Sequence, residues 1–189
     1  GYYVSLHAEL LGDSVVPKCS DALDIYRSPI LLLRSSKAGI PAVPSLVTDS
    51  AMDAISKFDL PLIVFPLKPF PSCGFNIVYS KSGLEIVMKR LTMNRRYTVC
   101  VEPLRGQLAS FKSVFGAPIP IEVNINCDES VRNLTRRLFD EFNVPLFKLF
   151  VQREGDHVYL CGIDPLNRSL QRDSVEFDFI LEAIKKVGE

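Results

Sequence analysis

The spacing of apolar residues predicts two long amphipathic helices. After Asp128, apolar residues recur every three or four positions and arginines lie between them, which is the pattern of a helix with one buried face. That apolar stripe consists of Val131, Leu134, Leu138, Phe139 and Phe142. A second stripe follows Ser82 and Glu85, whose spacing predicts a capping box at the helix start. Its members are Leu84, Val87, Met88 and Leu91.

Shorter helices are predicted in three other places. Pro29 suits a first helical turn and Gly39 suits a helix stop, so a helix is expected between them. Residues 49–58 carry apolar side chains at three-residue spacing behind two hydroxyl residues that can cap a helix. A last helix is expected after Asp173. Its apolar residues are Phe177, Ile180, Leu181, Ile184 and Val187.

Runs rich in β-branched and aromatic residues predict strands separated by turns that contain proline and glycine. The turn "REGD" at 153–156 predicts a hairpin. Residues 162–173 have the composition of a loop, whereas residues 2–6 are compatible with a short strand. The predicted strands are 60–65, 75–79, 97–101, 146–151 and 157–161, with two more and a turn within 105–126. Helices and strands do not alternate strictly, so the expected fold class is α+β.

Composition excludes several classes of protein. The 22 basic and 22 acidic residues cancel, so a nucleic-acid partner is not expected, because such binding needs a cationic surplus. The five cysteines form no CxxC pair and neither of the two histidines has a ligand at metal spacing, which argues against a zinc site. No apolar run has the length of a membrane span, and no charged-then-apolar leader opens the chain. We expect reduced thiols and a soluble, cytoplasmic protein.

Three stretches carry a resemblance to a known family. They are "SPILLLRSSKAGIPAVPSLV" at 28–47, "LPLIVFPLKPFPSCGFNIVYSKSGLEIV" at 60–87 and "DESVRNLTRRLFDEFNVPLFKLFVQREGDHVYLCGIDPLN" at 128–167. Together they resemble the ATP-grasp fold and, within it, the inositol polyphosphate kinases that act on inositol trisphosphate and tetrakisphosphate, with degenerate motifs. The resemblance implies a two-lobed α+β fold in which antiparallel sheets are flanked by helices. The implied domains are an N-terminal remnant with the first helix at 1–37, a central lobe at 38–95 and a C-terminal lobe at 96–189.

The resemblance implies a phosphate-binding lysine after an apolar strand. Phe65 stands at the matching place in this chain, and a phenyl ring cannot neutralise phosphate. Lys68, three residues further on, is the nearest cation. It is either a phosphate ligand that reaches in from the loop or a solvated loop residue.

The resemblance also implies a magnesium site built from two acids and an asparagine. The aligned residues are Phe150, Gly162 and Asp164, so one oxygen ligand of three remains. A shifted register places Asp164 at an acid position and Leu166 at the asparagine position, which leaves the set incomplete. Phe150 is instead expected in an aromatic core, where burying a ring contributes about 2 kcal/mol. That core is predicted to contain Phe111, Phe115, Phe139, Phe142, Phe147 and Phe150.

The stretch "TVCVEPL" matches the hinge that holds adenine in the family that the chain resembles. The resemblance assigns main-chain contacts with the nucleotide to Val101, Glu102 and Leu104. Lys112 matches a basic position that faces phosphate, with an outward lysine on an edge strand as the alternative. Arg105 matches a turn that meets the inositol phosphate, and arginine can grip phosphate with two hydrogen bonds.

These losses of charge favour a degenerate ATP-grasp domain that is a pseudoenzyme, with no catalytic residues, and that serves as a binding or scaffold module. The expected partner is another protein, with weak binding of a nucleotide or inositol phosphate as an option, and no cofactor is expected. One alternative is an active, divergent inositol polyphosphate kinase that uses ATP and magnesium through Lys68 and Asp164. A second alternative is a protein-interaction domain unrelated to nucleotide binding.

Overall fold

The computed structural model of the chain describes residues 2–13, 15, 17–26, 28–67, 75–121, 127–165, 177–178, 181–182 and 185. Its helices are α1 (Tyr2–Leu10), α2 (Cys19–Ile25), α3 (Ser28–Lys37), α4 (Ala51–Lys57), α5 (Lys81–Leu91) and α6 (Glu129–Phe142). Its strands are β1 (Leu46–Thr48), β2 (Leu62–Pro66), β3 (Asn76–Val78), β4 (Val99–Pro103), β5 (Gln107–Val114), β6 (Ala117–Pro120), β7 (Leu146–Glu154) and β8 (His157–Pro165). The described positions of the last predicted helix, from 177 onward, are helical, and Asp173 lies outside the described residues.

The first sheet contains four antiparallel strands in the order β1-β4-β2-β3. Side chains alternate across β2, so Leu62 and Val64 face one side while Ile63 and Phe65 face the other. All four are buried, which confirms the predicted buried strand. Helices α4 and α5 pack on the side of Leu62 and Val64. The core on that side is formed by Ala54, Phe58, Leu62, Val64, Val78, Leu84, Met88, Leu91, Val99 and Val101.

The second sheet has the strand order β6-β5-β7-β8. Strands β5 and β6 form the predicted antiparallel hairpin, and its turn contains Gly116. Gly116 has a φ of 78°, and a Cβ added there would lie 3.1 Å from the Cβ of Phe139, so the turn requires glycine. Helix α6 packs against β6 and buries most of its predicted apolar stripe. The rings of Phe115 and Phe139 meet edge to face, with centroids 6.0 Å apart.

The chain divides into two compact units. One unit contains Gly1–Tyr26, Ser110–Phe150 and Ile163–Glu189, and the other contains Arg27–Ala109 and Val151–Gly162. The hairpin of β7 and β8 therefore contributes residues to both units. The domain boundaries predicted after residues 37 and 95 stay predictions.

Two helix starts differ from the prediction. Residues 2–6 belong to α1 and not to a strand, because this segment continues into Ala8, Glu9 and Leu10, which are strong helix formers. Helix α5 begins at Lys81, and its N-cap is Ser80 instead of Ser82. An N-cap residue needs extended backbone angles, and Ser80 has them, with φ −142° and ψ 155°. Its hydroxyl accepts a hydrogen bond from the N–H of Gly83 at 3.1 Å.

One prediction about a strand was also wrong, and one of the two alternatives for Lys112 is excluded. Strand β8 continues to Pro165, so residues 162–165 are strand and not loop, because β7 offers a partner arm of the same nine-residue length. Lys112 does not lie on an edge strand. Its strand, β5, lies between β6 and β7, and the Lys112 side chain is half-buried.

The N-cap of α6 gives a first testable prediction. The Oδ1 atom of Asp128 accepts a hydrogen bond from the N–H of Val131 at 3.0 Å. Asp128→Ala should lower the free energy of unfolding by about 1 kcal/mol, because the N–H group loses its partner. Urea denaturation measures the effect. Asp128→Asn is the matched control, since it keeps a side-chain oxygen, and a loss as large as that of Asp128→Ala would contradict a hydrogen-bonding role.

Candidate functional site

Phe65 occupies the place where the resemblance implies a phosphate-binding lysine. It lies on β2 opposite Cys100 of β4, and its side chain is only 4% exposed. Its ring contacts that of Phe75, with centroids 5.7 Å apart. The position is therefore part of an apolar core and carries no charge. Lys68, the proposed substitute, lies outside the described residues.

Strand β4 and the residue that follows it contain the residues that were predicted to form the hinge. Val101 pairs with Leu46 of β1 and with Val64 of β2, so its main chain lies inside the sheet. The N–H of Leu104 donates to the carbonyl oxygen of Pro61 at 2.9 Å. Both residues are thus engaged in the fold of the sheet, and their predicted nucleotide contacts stay predictions.

The main-chain groups just beyond this strand are held by a buried side chain. The Nε2 atom of Gln152 donates to the carbonyl oxygen of Pro103 at 2.9 Å, and its Oε1 atom accepts from the N–H of Arg105 at 2.7 Å. Gln152 is 1% exposed. The Arg105 side chain is exposed. One carboxamide therefore satisfies both polar groups at the end of β4.

The turn after β4 brings the chain close to β7. Gly106 has a φ of 151°, and a Cβ added there would lie 2.1 Å from the carbonyl oxygen of Arg153. No other residue type fits at that distance. This close approach places the main chain of Arg105 within reach of Gln152, one residue before Arg153 on β7.

Glu102 is fully buried, although it was predicted to contribute only main-chain groups. The thiol of Cys100 donates to Glu102 Oε1 at 3.9 Å, and Glu102 Oε2 is buried with no hydrogen-bond partner in the described part of the chain. Burial raises the pKa of Glu102 well above its ordinary value, although contacts with the thiols of Cys100 and Cys161 lower it. The physical consequence is that the fold favours the protonated, uncharged form of this carboxyl group.

The two thiols beside Glu102 are chemically quiet. Burial raises the pKa of Cys100 and of Cys161, and the neighbouring carboxyl group of Glu102 raises both further. A thiol is nucleophilic only as a thiolate, so neither is a candidate nucleophile. They lie against Glu102 as small buried side chains, in agreement with the reduced thiols that the sequence predicts.

The predicted metal ligands are mostly apolar. Phe150 is 2% exposed, and Gly162 is buried on β8. Asp164 is half-buried; burial raises its pKa, and the charge of Lys148 lowers it. Lys148 also lies 4.8 Å from the centroid of the Phe150 ring. The positive charge that acts on Asp164 is therefore that of the Lys148 side chain. Leu166 lies outside the described residues.

The described residues contain no group of three or more His, Cys, Asp or Glu side chains that could hold a metal ion. The predicted site residues fall in both units. Val101, Glu102, Leu104 and Arg105 belong to the unit that contains β4, whereas Lys112 and Asp164 belong to the other.

The sequence analysis did not identify Gln152 as a site residue. The available signal was a polar residue after the apolar run of β7, but its partners lie 47 and 49 residues away in the chain.

The two antiparallel sheets flanked by helices are the fold of several solved ATP-grasp proteins. A RimK domain protein from Sphaerobacter thermophilus is similar with a TM-score of 0.73 and 14% identity, over 96% of this chain and 75% of that one. D-alanine–D-alanine ligase from Bacillus anthracis is similar with a TM-score of 0.73 and 16% identity, over 97% and 75%. The ATP-grasp ligase PsnB is similar with a TM-score of 0.68 and 15% identity, over 100% and 68%.

These likenesses define an ATP-grasp fold, which confirms the predicted α+β class. The chain belongs to the RimK-like ATPgrasp N-terminal domain family (RLAN), whose family model matches residues 1–177. A search of curated proteins found no match. The resemblance to the ATP-grasp superfamily is thus confirmed, and the narrower resemblance to inositol polyphosphate kinases stays a prediction. No helix among the described residues is long and apolar enough to span a membrane.

Proposed function

We propose that this chain is an ATP-grasp domain without metal-dependent phosphoryl transfer, and that it acts as a binding or scaffold module for another protein. The observation that carries the proposal is the burial of Phe65 and of Phe150, each at a position where the resemblance implies a charge. A polyphosphate needs cations, and magnesium needs hard oxygen ligands. A phenyl ring supplies neither.

The remaining candidate metal ligand supports the same proposal. Asp164 has its pKa raised by burial and stands beside Lys148, whose positive charge repels a cation. A single carboxylate in that setting is a poor ligand for a divalent ion bridged to phosphate. The main-chain groups of Pro103 and Arg105 are also occupied, because Gln152 bonds both.

The partner is proposed to be a protein because apolar side chains are exposed on one helix. Helix α1 and the turn after it carry Tyr3, Val4, Leu10 and Leu11, with exposures of 82%, 73%, 78% and 69%. Exposed apolar residues grouped in this way are typical of surfaces that another protein covers.

Two of the similar ATP-grasp proteins have been solved with a bound nucleotide. PsnB has been solved with magnesium and ADP, and the Bacillus anthracis ligase has been solved with ATP. That ligase is therefore a positive control for nucleotide binding. An active kinase in the present chain would also require ATP and magnesium, so one titration separates the proposal from its alternative.

The native chain should show no magnesium-dependent stabilisation by ATP. A ligand present at about 100 times its Kd adds about 2.7 kcal/mol to the free energy of unfolding. For a chain of this size, such a gain raises Tm by about 5–11 °C. We expect no such rise in a thermal-shift measurement with ATP and magnesium, under conditions in which the Bacillus anthracis ligase responds.

A magnesium-dependent rise in Tm would contradict the proposal. The active-kinase alternative would then predict phosphate transfer from ATP to an inositol phosphate, lost in Asp164→Ala. Binding that survives Asp164→Ala would leave that residue without a metal role.

A further inference from the structure

A cavity of about 320 Å³ lies where α4 meets α5. One wall is formed by Asp49 and Ala51, around the start of α4, and the other by α5 and the turn that follows it. Helices α4 and α5 cover one side of the first sheet, whereas Phe65 and Glu102 face the other side. The sheet therefore separates the cavity from these residues of the candidate site. Its volume lies in the range of cavities that hold small organic ligands.

Charged side chains of both signs line the cavity. Asp49 and Glu85 are acidic, and Lys89 and Arg95 are basic. Glu85 precedes Lys89 by four residues, which is the order that favours an ion pair on a helix. Within the part of the chain that the structure describes, however, none of these four side chains forms an ion pair or a hydrogen bond. The cavity thus presents two negative and two positive groups that have no partner among the described residues.

The turn after α5 has strained backbone angles. Met93, Asn94 and Arg95 have φ angles of 50°, 58° and 67°, in the left-handed region that residues other than glycine rarely adopt. Thr92, which is 1% exposed, holds this turn. Its Oγ1 atom accepts from the N–H of Arg95 at 3.1 Å, and its carbonyl oxygen accepts from the N–H of Arg96 at 2.9 Å. Asn94 and Arg95 line the cavity, and strained backbone of this kind is concentrated at ligand sites.

The charges of the cavity select the class of ligand. A cation alone would face Lys89 and Arg95, and an anion alone would face Asp49 and Glu85. A molecule that carries one ammonium and one carboxylate group gives each pair a counter-charge. Glu85 and Lys89 are separated by about 6 Å along the helix axis, so two groups borne by one small molecule can reach both.

The cavity also has an apolar part. Met88 is 2% exposed and Ala51 is half-buried, and both line the cavity. An aliphatic group placed against them leaves water, which is favourable. Asn94 adds an amide that can both donate and accept, so it suits either charged group of a ligand. An α-amino acid with an aliphatic side chain carries an ammonium, a carboxylate and an apolar group on one carbon atom, and it therefore matches all parts of the cavity.

We propose that this cavity is a binding site for an α-amino acid with an aliphatic side chain. The ammonium group of the ligand binds Asp49 and Glu85. Its carboxylate binds Lys89 and Arg95, and its side chain contacts Met88. This site goes beyond the proposed function and is independent of it, because none of these five residues belongs to the candidate site.

The test compares leucine with two analogues that each lack one charge. Leucinamide keeps the ammonium group, and N-acetylleucine keeps the carboxylate. In titrations of the native chain, leucine should shift the amide resonances of Asn94 and Arg95. Each analogue should bind about tenfold more weakly or worse, because it loses charge-assisted hydrogen bonds and brings its remaining charge beside two groups of like sign.

Two variants test which group of the ligand each residue of α5 binds. Glu85 and Lys89 are exposed, so neither change should disturb folding. Glu85→Gln should weaken leucine binding about two- to fivefold, the effect of one partly exposed ion pair, and should not weaken binding of N-acetylleucine. Lys89→Gln should weaken leucine binding similarly and should not weaken binding of leucinamide. Lys81→Gln is the matched control, since Lys81 is an exposed lysine of the same helix that does not line the cavity.

Several results would overturn the proposal. One is leucine that shifts neither resonance up to its solubility limit. Another is equal affinity for leucine and for either analogue, because the cavity would then not select a ligand with both charges. Tighter binding of the dipeptide glycyl-leucine than of leucine would overturn the amino acid as the occupant. Weakening by Lys81→Gln as large as that by Lys89→Gln would mean that overall charge, and not the cavity, governs binding.

Failure of this site is distinguishable from failure of the proposed function. Magnesium-dependent ATP binding by the native chain contradicts the proposed function and has no bearing on the leucine titration. A native chain that binds neither ATP nor leucine contradicts only the amino-acid site.

Discussion

Phe150→Asp should lower the free energy of unfolding by about 4 kcal/mol or more. Phe150 is 2% exposed, and removing a buried aromatic ring costs about 3–5 kcal/mol through lost burial and the space left behind. The new carboxyl group adds a penalty of its own, because burying a polar group without full hydrogen bonding is unfavourable. Urea denaturation, monitored by circular dichroism, measures the difference from the native chain.

The matched control for this change is Phe150→Leu. It keeps the site apolar and should cost less than about 1.5 kcal/mol, as hydrophobic exchanges of similar size do. An aspartate variant as stable as the leucine variant would contradict the core role of the ring. Stabilisation of Phe150→Asp by millimolar magnesium would mean that the position lies in a metal site that lacks only its carboxylate, which would contradict an exclusively structural role for the ring.

Glu102→Gln should make the protein more stable at neutral pH and should remove one component of its pH dependence. The folded chain holds the pKa of Glu102 well above the ordinary value of 4.5 through burial. Above pH 4.5 the unfolded chain releases the proton while the folded chain keeps it, so the folded state binds more protons. The free energy of unfolding of the native chain therefore falls as pH rises, by up to about 1.4 kcal/mol per pH unit from this group.

The glutamine variant carries no ionisable group at this position. Its carbonyl oxygen can still accept from Cys100, and its amino group takes the place of Oε2, which has no partner among the described residues. The two proteins should thus have similar stability near pH 4, and Glu102→Gln should be the more stable above it, by an amount that grows with pH. Urea denaturation between pH 4 and pH 8 measures the gap.

A control separates this effect from the loss of any carboxyl group. Glu154→Gln alters an exposed glutamate at the end of β7 and should not reproduce the widening gap. A constant difference between Glu102→Gln and the native chain at every pH would contradict a raised pKa at Glu102. It would imply that folding leaves the pKa of this carboxyl group unchanged.

The two predictions concern native residues of opposite character, one apolar and one acidic. At Phe150 an apolar residue stands where the resemblance implies charge, and at Glu102 a carboxyl group whose pKa is raised by burial stands in an apolar strand. The likeness to ATP-grasp enzymes is therefore a likeness of fold, and the chemistry proposed for this chain depends on its own side chains.

The candidate site was only partly predictable. The apolar character of Phe65 and Phe150 was evident from the residues themselves, and the structure places both in cores. The role of Gln152 was not evident, because it depends on two main-chain groups that lie 47 and 49 residues earlier. Likewise, the sequence left open whether Lys112 lies on an edge strand, since a sequence pattern indicates a strand but not its neighbours.

What the sequence determined by itself was local. The apolar stripe of α6, its Asp128 cap and the turn at Gly116 depend on residues a few positions apart, so periodicity and capping rules were sufficient to predict them. Only the tertiary structure decided the strand order, the length of β8, the burial of Glu102 and the partners of Gln152. These depend on pairing and desolvation between segments distant in the chain, and such contacts have no signature in the spacing of residues along it.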